Sequence, residues 1–315
     1  MSEPQQHAMD ADTTADCTKL IDMALAEDIG AANLKDGRDC TTDSIVPGSV
    51  TASAAFVSRA SGVVCGVEVA KLVIDRHALT LKLDCHLKDG DPVEPGQTIA
   101  VISGPAAEIL VLERTCLNFM CRLSGVSSFA RQYADEIRGT KACVLDTRKT
   151  TPGWRRLEKY AVACGGGQNH RMGLYDAVMI KDNHLAFRRS QAENKSLTIP
   201  NAIKVVRDWI NENAQSLPNG PQTVLQLEVD NLDQLEIALE TSVDIVLLDN
   251  MSNDQLMAAV ALRNERAPKV LLEASGGVNL STIAGIAATG VERISVGALT
   301  HSATNFDIGL DWTID

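Results

Sequence analysis

With 315 residues the chain can bury a sizeable core and make about two domains. Its 45% apolar and 22% charged content is that of an ordinary globular chain, and no apolar run approaches the roughly 18 residues a membrane span needs. A net charge of −12 excludes the basic surface that nucleic-acid backbones require, while a local basic cluster for a small anionic substrate stays open.

The opening stretch "MSEPQQHAMDADTTAD" (1–16) is acidic and has no apolar h-region, so a short disordered tail is expected rather than a secretory signal. The eight cysteines (17, 40, 65, 85, 116, 121, 143 and 164) form no C-x-x-C pair and no zinc spacing, which with no export signal predicts reduced thiols in the cytoplasm. "CTKLIDMALAEDIG" then reads as a helix, with Leu20, Ile21, Met23, Leu25 and Ile29 as its apolar positions. Strand-like runs follow in "VTASAAFVSRA", "ALTLKLDCHL" and "QTIAVISG". Between them lie a short strand and helix in "SGVVCGVEVAKLVIDRH" and turn chemistry in "DGDPVEPGQ". His77 and His86 stand outside any constellation and read as structural. This half is α+β, a sheet with helices on one side. A long helix, "PAAEILVLERTCLNFMCRLSGVSSFARQYADEIRG", leads out of it, with a break expected near Ser124–Gly125.

From Lys141 short apolar runs alternate with helical stretches: "ACVLDT", "DAVMIK", "VLQLEVD", "DIVLLDN", "KVLLEASG" and "RISVGA". That rhythm suits βα units whose parallel strands are buried on both faces. Six or seven such units without a Rossmann fingerprint favour an α/β barrel over an open sheet. The polar connection "RRSQAENKSLTIPN" (188–201) is expected to be the most mobile internal segment.

Each of these strands delivers polar groups at its C-terminal end, where barrel enzymes build their sites. One set is basic: Arg148, Lys149, His170, Arg171 and Lys181, with Arg114 on the long helix as a further candidate. It suits carboxylates or phosphates, Arg as a planar fork and Lys as a point charge. Lys181 ends an apolar run, so its ammonium should point into the mouth; a Schiff-base lysine is the competing reading. Glu228 and Asp249 are the acidic set, and either they hold Mg²⁺ or each pairs with a neighbouring cation. "ASGG" ahead of "VNLSTIAGI" places glycines at a strand-to-helix turn, where backbone N–H groups and a helix N-terminus bind phosphate. Gly165, Gly166 and Gly167 follow a helix and precede a strand. They therefore read as a helix stop that turns His170 and Arg171 into the mouth, not as a phosphate cradle.

Long ordered motifs carry a family resemblance. "LDTRKTTPGWRRLEKYAVACGGGQNHRMGLYDAVMIKDNH", "LEVDNLDQLEIAL", "DIVLLDNMS" and "LEASGGVN", with "ERTCLNFMCRLSG" and "GVVCGVEVA" in the first half, closely resemble the quinolinate phosphoribosyltransferases, from about residue 18 to the C-terminus. The resemblance implies Mg²⁺-dependent transfer of phosphoribose from PRPP to the ring nitrogen of quinolinate, with loss of pyrophosphate and CO₂, giving nicotinate mononucleotide for NAD biosynthesis. It implies an α/β fold: an N-terminal α/β sandwich domain (17–127), a C-terminal irregular (open) α/β barrel of six to seven strands (128–299), and a segment (300–315) returning toward the N-terminal domain. It also implies a homodimer or hexamer in which Arg114 serves the neighbouring subunit's site. Thr147, Arg148, His170, Arg171 and Lys181 match substrate binders, the last four those for the two carboxylates. Lys149 and Lys181 match the pyrophosphate region, and Glu228 and Asp249 lie near ribose and Mg²⁺. Ser275, Gly276, Gly277, Gly297 and His301 match the 5′-phosphate site. Trp154 stands where a smaller aliphatic residue is expected, near these positions, and puts none of the catalytic ones in doubt.

Overall fold

The computed structural model describes residues 8–31, 33–78, 80–191 and 198–313. Helix α1 (Ala11–Ile29) starts where the Asp10 carboxylate accepts the Thr13 N–H and stops at left-handed Gly30. Its stripe of Cys17, Leu20, Ile21, Leu25 and Ile29 is buried, so packing on one apolar face holds it. The first 16 residues therefore differ from the expected tail. Residues 1–7 lie outside the described residues, while residues 11–16 form the first turns of α1 because Asp10 caps them. Then come α2 (Cys40–Ile45), β1 (Thr51–Ser58), β2 (Gly62–Val63), α3 (Val67–His77), β3 (Lys82–Cys85), β4 (Pro92–Val93), β5 (Thr98–Pro105) and α4 (Ala106–Glu136).

Helix α4 runs 31 residues without the break expected at Ser124–Gly125. The small residues there serve close approach instead. Ser124 Oγ accepts the Cys65 N–H and donates to the Cys65 carbonyl, both at 2.9 Å. A Cβ on Gly125 would run into the Thr304 carbonyl.

The remaining elements are β6 (Cys143–Leu145), α5 (Arg155–Cys164), β7 (Val178–Ile180), α6 (Asp182–Gln191), α7 (Ile199–Glu212), β8 (Leu225–Val229), α8 (Leu232–Leu239), β9 (Ile245–Asp249), α9 (Asn253–Arg266), β10 (Leu271–Ser275), α10 (Ile283–Ala288), β11 (Arg293–Ser295), α11 (Ala298–His301) and β12 (Ile308–Thr313). Much of the connection expected over 188–201 is thus helical, at the end of α6 and the start of α7; residues 192–197 lie outside the described residues. Among the described residues no helix is long and apolar enough to cross a membrane.

The chain divides into two compact units. The first takes in the chain up to Arg131, Thr150–Gly167 and the segment from Leu299 onward. Its sheet, ordered β12-β1-β5-β3, is antiparallel, with β12 from the C-terminus paired to β1. Helix α5, placed in the barrel by the sequence reading, clusters here, and the unit reaches Arg131 rather than 127. All eight cysteines are free thiols.

The second unit, Gln132–Lys149 with Gln168–Ala298, holds a six-stranded parallel sheet ordered β6-β11-β10-β9-β8-β7. Strands β6 and β7 are its end strands. On one face run the wholly or almost wholly buried Leu227, Val246, Leu248 and Leu272. Alternation sends the other set to the opposite face, where in-register partners form a row: Glu228 beside Leu247, Leu247 beside Glu273, Glu273 beside Arg293, Arg293 beside Cys143. Three of these five residues carry charge, whereas the opposite face is apolar.

Candidate active site

The loop that brings in the basic residues is fixed to β6. After α5 the chain turns at Gly166 (φ 94°), and the Gly167 N–H closes onto the Val162 carbonyl at 3.0 Å. Gln168 then runs alongside the strand: its N–H donates to Val144 O at 2.8 Å, and the Asp146 N–H donates to Gln168 O at 3.1 Å. The buried Asp146 carboxylate accepts the His170 N–H at 2.8 Å. Further on, the Asp176 carboxylate accepts the Met172 N–H at 2.6 Å and holds the return into β7.

His170 is set by its neighbours. Its Nδ1 accepts the Arg171 N–H at 2.7 Å, which places the ring proton on Nε2, 3.1 Å from Glu273 Oε1. Both ring nitrogens are thereby engaged within the protein. Glu273 is fully buried. Burial pushes its carboxyl up, but the hydrogen bond from His170 and the Arg293 guanidinium at 2.8 Å outweigh it and hold the pKa at about 2. Removing one partner of such a buried pair costs roughly 3–5 kcal/mol, because the other charge is left uncompensated.

Arg171, next to His170, and Arg148 repel each other and form no ion pair among the described residues. Arg171 is half-buried, and its terminal nitrogens reach only the Ala177 carbonyl at 3.3 Å and Met179 Sδ at 3.5 Å. Burial and then the charge of Arg148 push its pKa down. Arg148 Nε is sealed from solvent and meets no hydrogen-bond partner. Asp176 and Glu273 offset part of this repulsion without an ion pair to Arg171 among the described residues, and an anion between the two arginines would offset the rest.

Lys181, at the end of β7, donates from its ammonium to Glu228, and its backbone N–H donates to His184 Nδ1 at 2.9 Å. Of the two readings left open for Glu228, pairing with a cation is thus realised by Lys181. Asp249 ends β9 on the same face, one alternation ahead of Leu247, the partner of Glu228. Its Oδ2 accepts from the Asn250 side chain at 2.7 Å, and the Asn250 N–H donates to Ser275 O at 2.9 Å. Next to them Gly276 (φ 96°) and Gly277 (φ 62°) turn the chain. A Cβ at Gly276 would strike the Asn250 side chain, so the turn needs glycine for space as well as for φ. The expected helix N-terminus is not at this pair, because an Asn279 turn intervenes and α10 begins only at Ile283. Gly297 follows β11. The Thr147 hydroxyl accepts the Lys149 N–H at 3.0 Å, shaping the turn that carries Arg148.

These residues all belong to the second unit; Arg114 and His301 belong to the first. Arg114 stands out from α4 with its side chain 72% exposed, 3.7 Å from Glu113. His301 is exposed, its Nδ1 2.8 Å from the Ser302 hydroxyl. Among the described residues no cluster of three or more His, Cys, Asp or Glu side chains is disposed to hold a metal unaided. The sequence reading placed no function on Arg293 or Gln226. Asp146 and Glu273 were legible as polar groups at strand ends facing the barrel mouth, but their partners were not.

A parallel sheet that carries a braced carboxylate–imidazole–guanidinium set on one face, with Arg148 after β6 and Arg171 in the loop entering β7, is that of an α/β enzyme suited to polyanionic substrates. Residues 39–124 match the quinolinate phosphoribosyl transferase N-terminal domain, and residues 126–311 match the C-terminal domain of the same family. The chain belongs to the quinolinate phosphoribosyl transferase family. It is 41% identical over 293 residues to the nicotinate-nucleotide pyrophosphorylase [carboxylating] of Mycobacterium leprae, across 92% of this chain and 95% of that protein. The solved nicotinate-nucleotide pyrophosphorylase of Francisella tularensis is similar over 98% of this chain and 99% of its own, with TM-score 0.83 and 33% identity. That of Ehrlichia chaffeensis gives 0.81 and 38%, over 94% of this chain and 98% of its own.

Proposed function

We propose that the protein catalyses decarboxylating phosphoribosyl transfer from PRPP to quinolinate, giving nicotinate mononucleotide, pyrophosphate and CO₂ for NAD biosynthesis. The observation that carries this reading is the pair Arg148 and Arg171, which feel each other's charge, form no ion pair among the described residues, and include the sealed, unpartnered Nε of Arg148. A dicarboxylate offers the acceptors they lack. The Asp146–His170–Glu273–Arg293 set holds the Arg171 backbone and so fixes the seat before substrate arrives.

In the reaction the ring nitrogen bonds to the ribose C1 as the C1–oxygen bond to pyrophosphate breaks. The cationic ring then accepts the electron pair of the breaking C2–carboxylate bond, CO₂ departs, and C2 takes up a proton. Lys181, paired with Glu228, places an ammonium and a carboxylate beside the transfer, and Lys149 serves the pyrophosphate. Glu228 and Asp249 lie where positive charge develops at the ribose. The 5′-phosphate is assigned to the turn of Ser275, Gly276 and Gly277, with Gly297.

Two carboxylates on neighbouring strands suit Mg²⁺, which takes one or two protein oxygens and completes its shell from substrate and water. Glu228 and Asp249 would hold it, and it would supply charge neutralisation of the diphosphate. Arg114 is assigned to the site of a second subunit, in a dimer or a larger assembly of dimers. The reaction is assigned to the cytoplasm.

Incubation with PRPP, Mg²⁺ and either quinolinate or nicotinate tests the reading. Mononucleotide and CO₂ from quinolinate are expected. Turnover of nicotinate with none of quinolinate would overturn it.

A further inference from the structure

We propose that Gln226 is a specificity residue of this site, its amide donating to a carboxylate of the bound pyridine acid and completing the seat that Arg148 and Arg171 begin. The proposal rests on the dicarboxylate reading above. Gln226 lies in β8 between Leu225 and Leu227 and is 2% exposed. Its Nε2 is sealed from solvent and meets no hydrogen-bond partner. A buried amide without a partner destabilises the ligand-free protein, and a leucine of nearly the same volume would fill the position without that cost.

The direction in which Gln226 points follows from the sheet. Strand alternation puts it on the face of Glu228, two residues on, and opposite to the wholly buried Leu225, Leu227 and Val229. Its in-register neighbour on β7 is Met179, the residue whose sulfur receives the Arg171 guanidinium. Through Met179 the unpartnered amide therefore neighbours the half-buried arginine that is itself short of acceptors. A half-turn of the amide exchanges its oxygen and nitrogen, so it can present N–H to an anion. A carboxylate has about four lone-pair sites, more than one guanidinium fork fills, and a neutral donor adds to the seat without adding like-charge repulsion to the two arginines. The Glu273 row one alternation above is already occupied by His170 and Arg293, which leaves Gln226 as an uncommitted donor on this face.

The test compares wild type with Gln226→Leu and Gln226→Glu, using quinolinate and PRPP as probes in kinetics and direct binding. In Gln226→Leu the KM and Kd for quinolinate are expected to rise about tenfold, the loss of one hydrogen bond to a charged group. The KM for PRPP should stay put, and the ligand-free melting temperature should match or exceed that of wild type. Gln226→Glu should raise the quinolinate KM further by placing a third carboxylate against the substrate. An unchanged quinolinate KM in Gln226→Leu, or an equal change in both substrates, overturns the proposal, a trapped water then satisfying the amide. If wild type binds quinolinate without turning it over, the catalytic reading fails, and Gln226 is still judged from the Kd values. If it does not bind quinolinate at all, both fail.

Discussion

Asp89 shows how a single carboxyl sets the sign of a pH response. It is buried at the start of α3, where its oxygens accept the Val67 N–H at 2.8 Å and the Tyr160 hydroxyl at 2.9 Å. Burial lifts its pKa from 3.8 to about 6, more than those hydrogen bonds lower it. The folded chain thus holds this proton more tightly than the unfolded one. The stabilisation is complete below about pH 4 and is lost as pH rises through about 6, a change of about 3 kcal/mol. Glu273 works in the opposite direction: lowered from 4.5 to about 2, its contribution is present above 4.5 and lost as pH falls toward 2. Asp89→Asn, which keeps the side-chain shape and loses the titration, should reduce the fall in unfolding free energy between pH 4 and pH 7 by about that amount. Denaturant titrations across this range would decide it, and an unaltered pH slope in the variant would rule out Asp89 as the cause.

Helix α4 depends on contacts made far along the chain. An alanine inside a helix is favoured over glycine by about 1 kcal/mol, so Gly125→Ala ought to stabilise α4 if propensity decided. The Cβ would instead meet the Thr304 carbonyl, a backbone atom on the segment that leads into β12. Gly125→Ala should therefore destabilise by roughly 1–3 kcal/mol, with Gly48→Ala, where nothing lies within 4 Å, as the control. A Gly125→Ala melting temperature at or above wild type would show that the segment can move aside. The same contact explains the break wrongly expected at Ser124–Gly125. Small polar residues in a helix resemble a stop, and nothing local reveals that Ser124 bonds to Cys65, 59 residues away. The six parallel strands were legible because burial on both faces makes each an apolar run. Arg148, Lys181, Glu228 and Asp249 were legible as charges at strand ends, and Arg171 as a charge on the loop after the glycine triplet. The use of His170 was not, because Glu273, which accepts the hydrogen bond from its Nε2–H, lies 103 residues on. The polar residues inside strands, Gln226 and Glu273, look like exceptions in the sequence, and the register explains why they share a face.

At the scale of the molecule, the first unit holds Arg114 on α4 and the second holds the unpaired arginines. The exposed guanidinium of Arg114 has one acidic neighbour at 3.7 Å, in a chain whose net charge is −12. A cation left out in solvent on an acidic protein is well placed to meet polyanionic substrate held by another copy. If the site is shared in a two-fold dimer, each active site takes its barrel residues from one subunit and Arg114 from the other. Arg114→Ala and Lys181→Ala proteins should then each be nearly inactive alone. Mixed in equal amounts and allowed to exchange, half the dimers are hybrids with one intact site of two, so activity should return to about a quarter of wild type. A site contained within one subunit predicts no recovery, because every barrel would still lack either its own Arg114 or its own Lys181. Measuring turnover of quinolinate after exchange, with hybrid formation followed by a mass tag on one variant, separates the two arrangements.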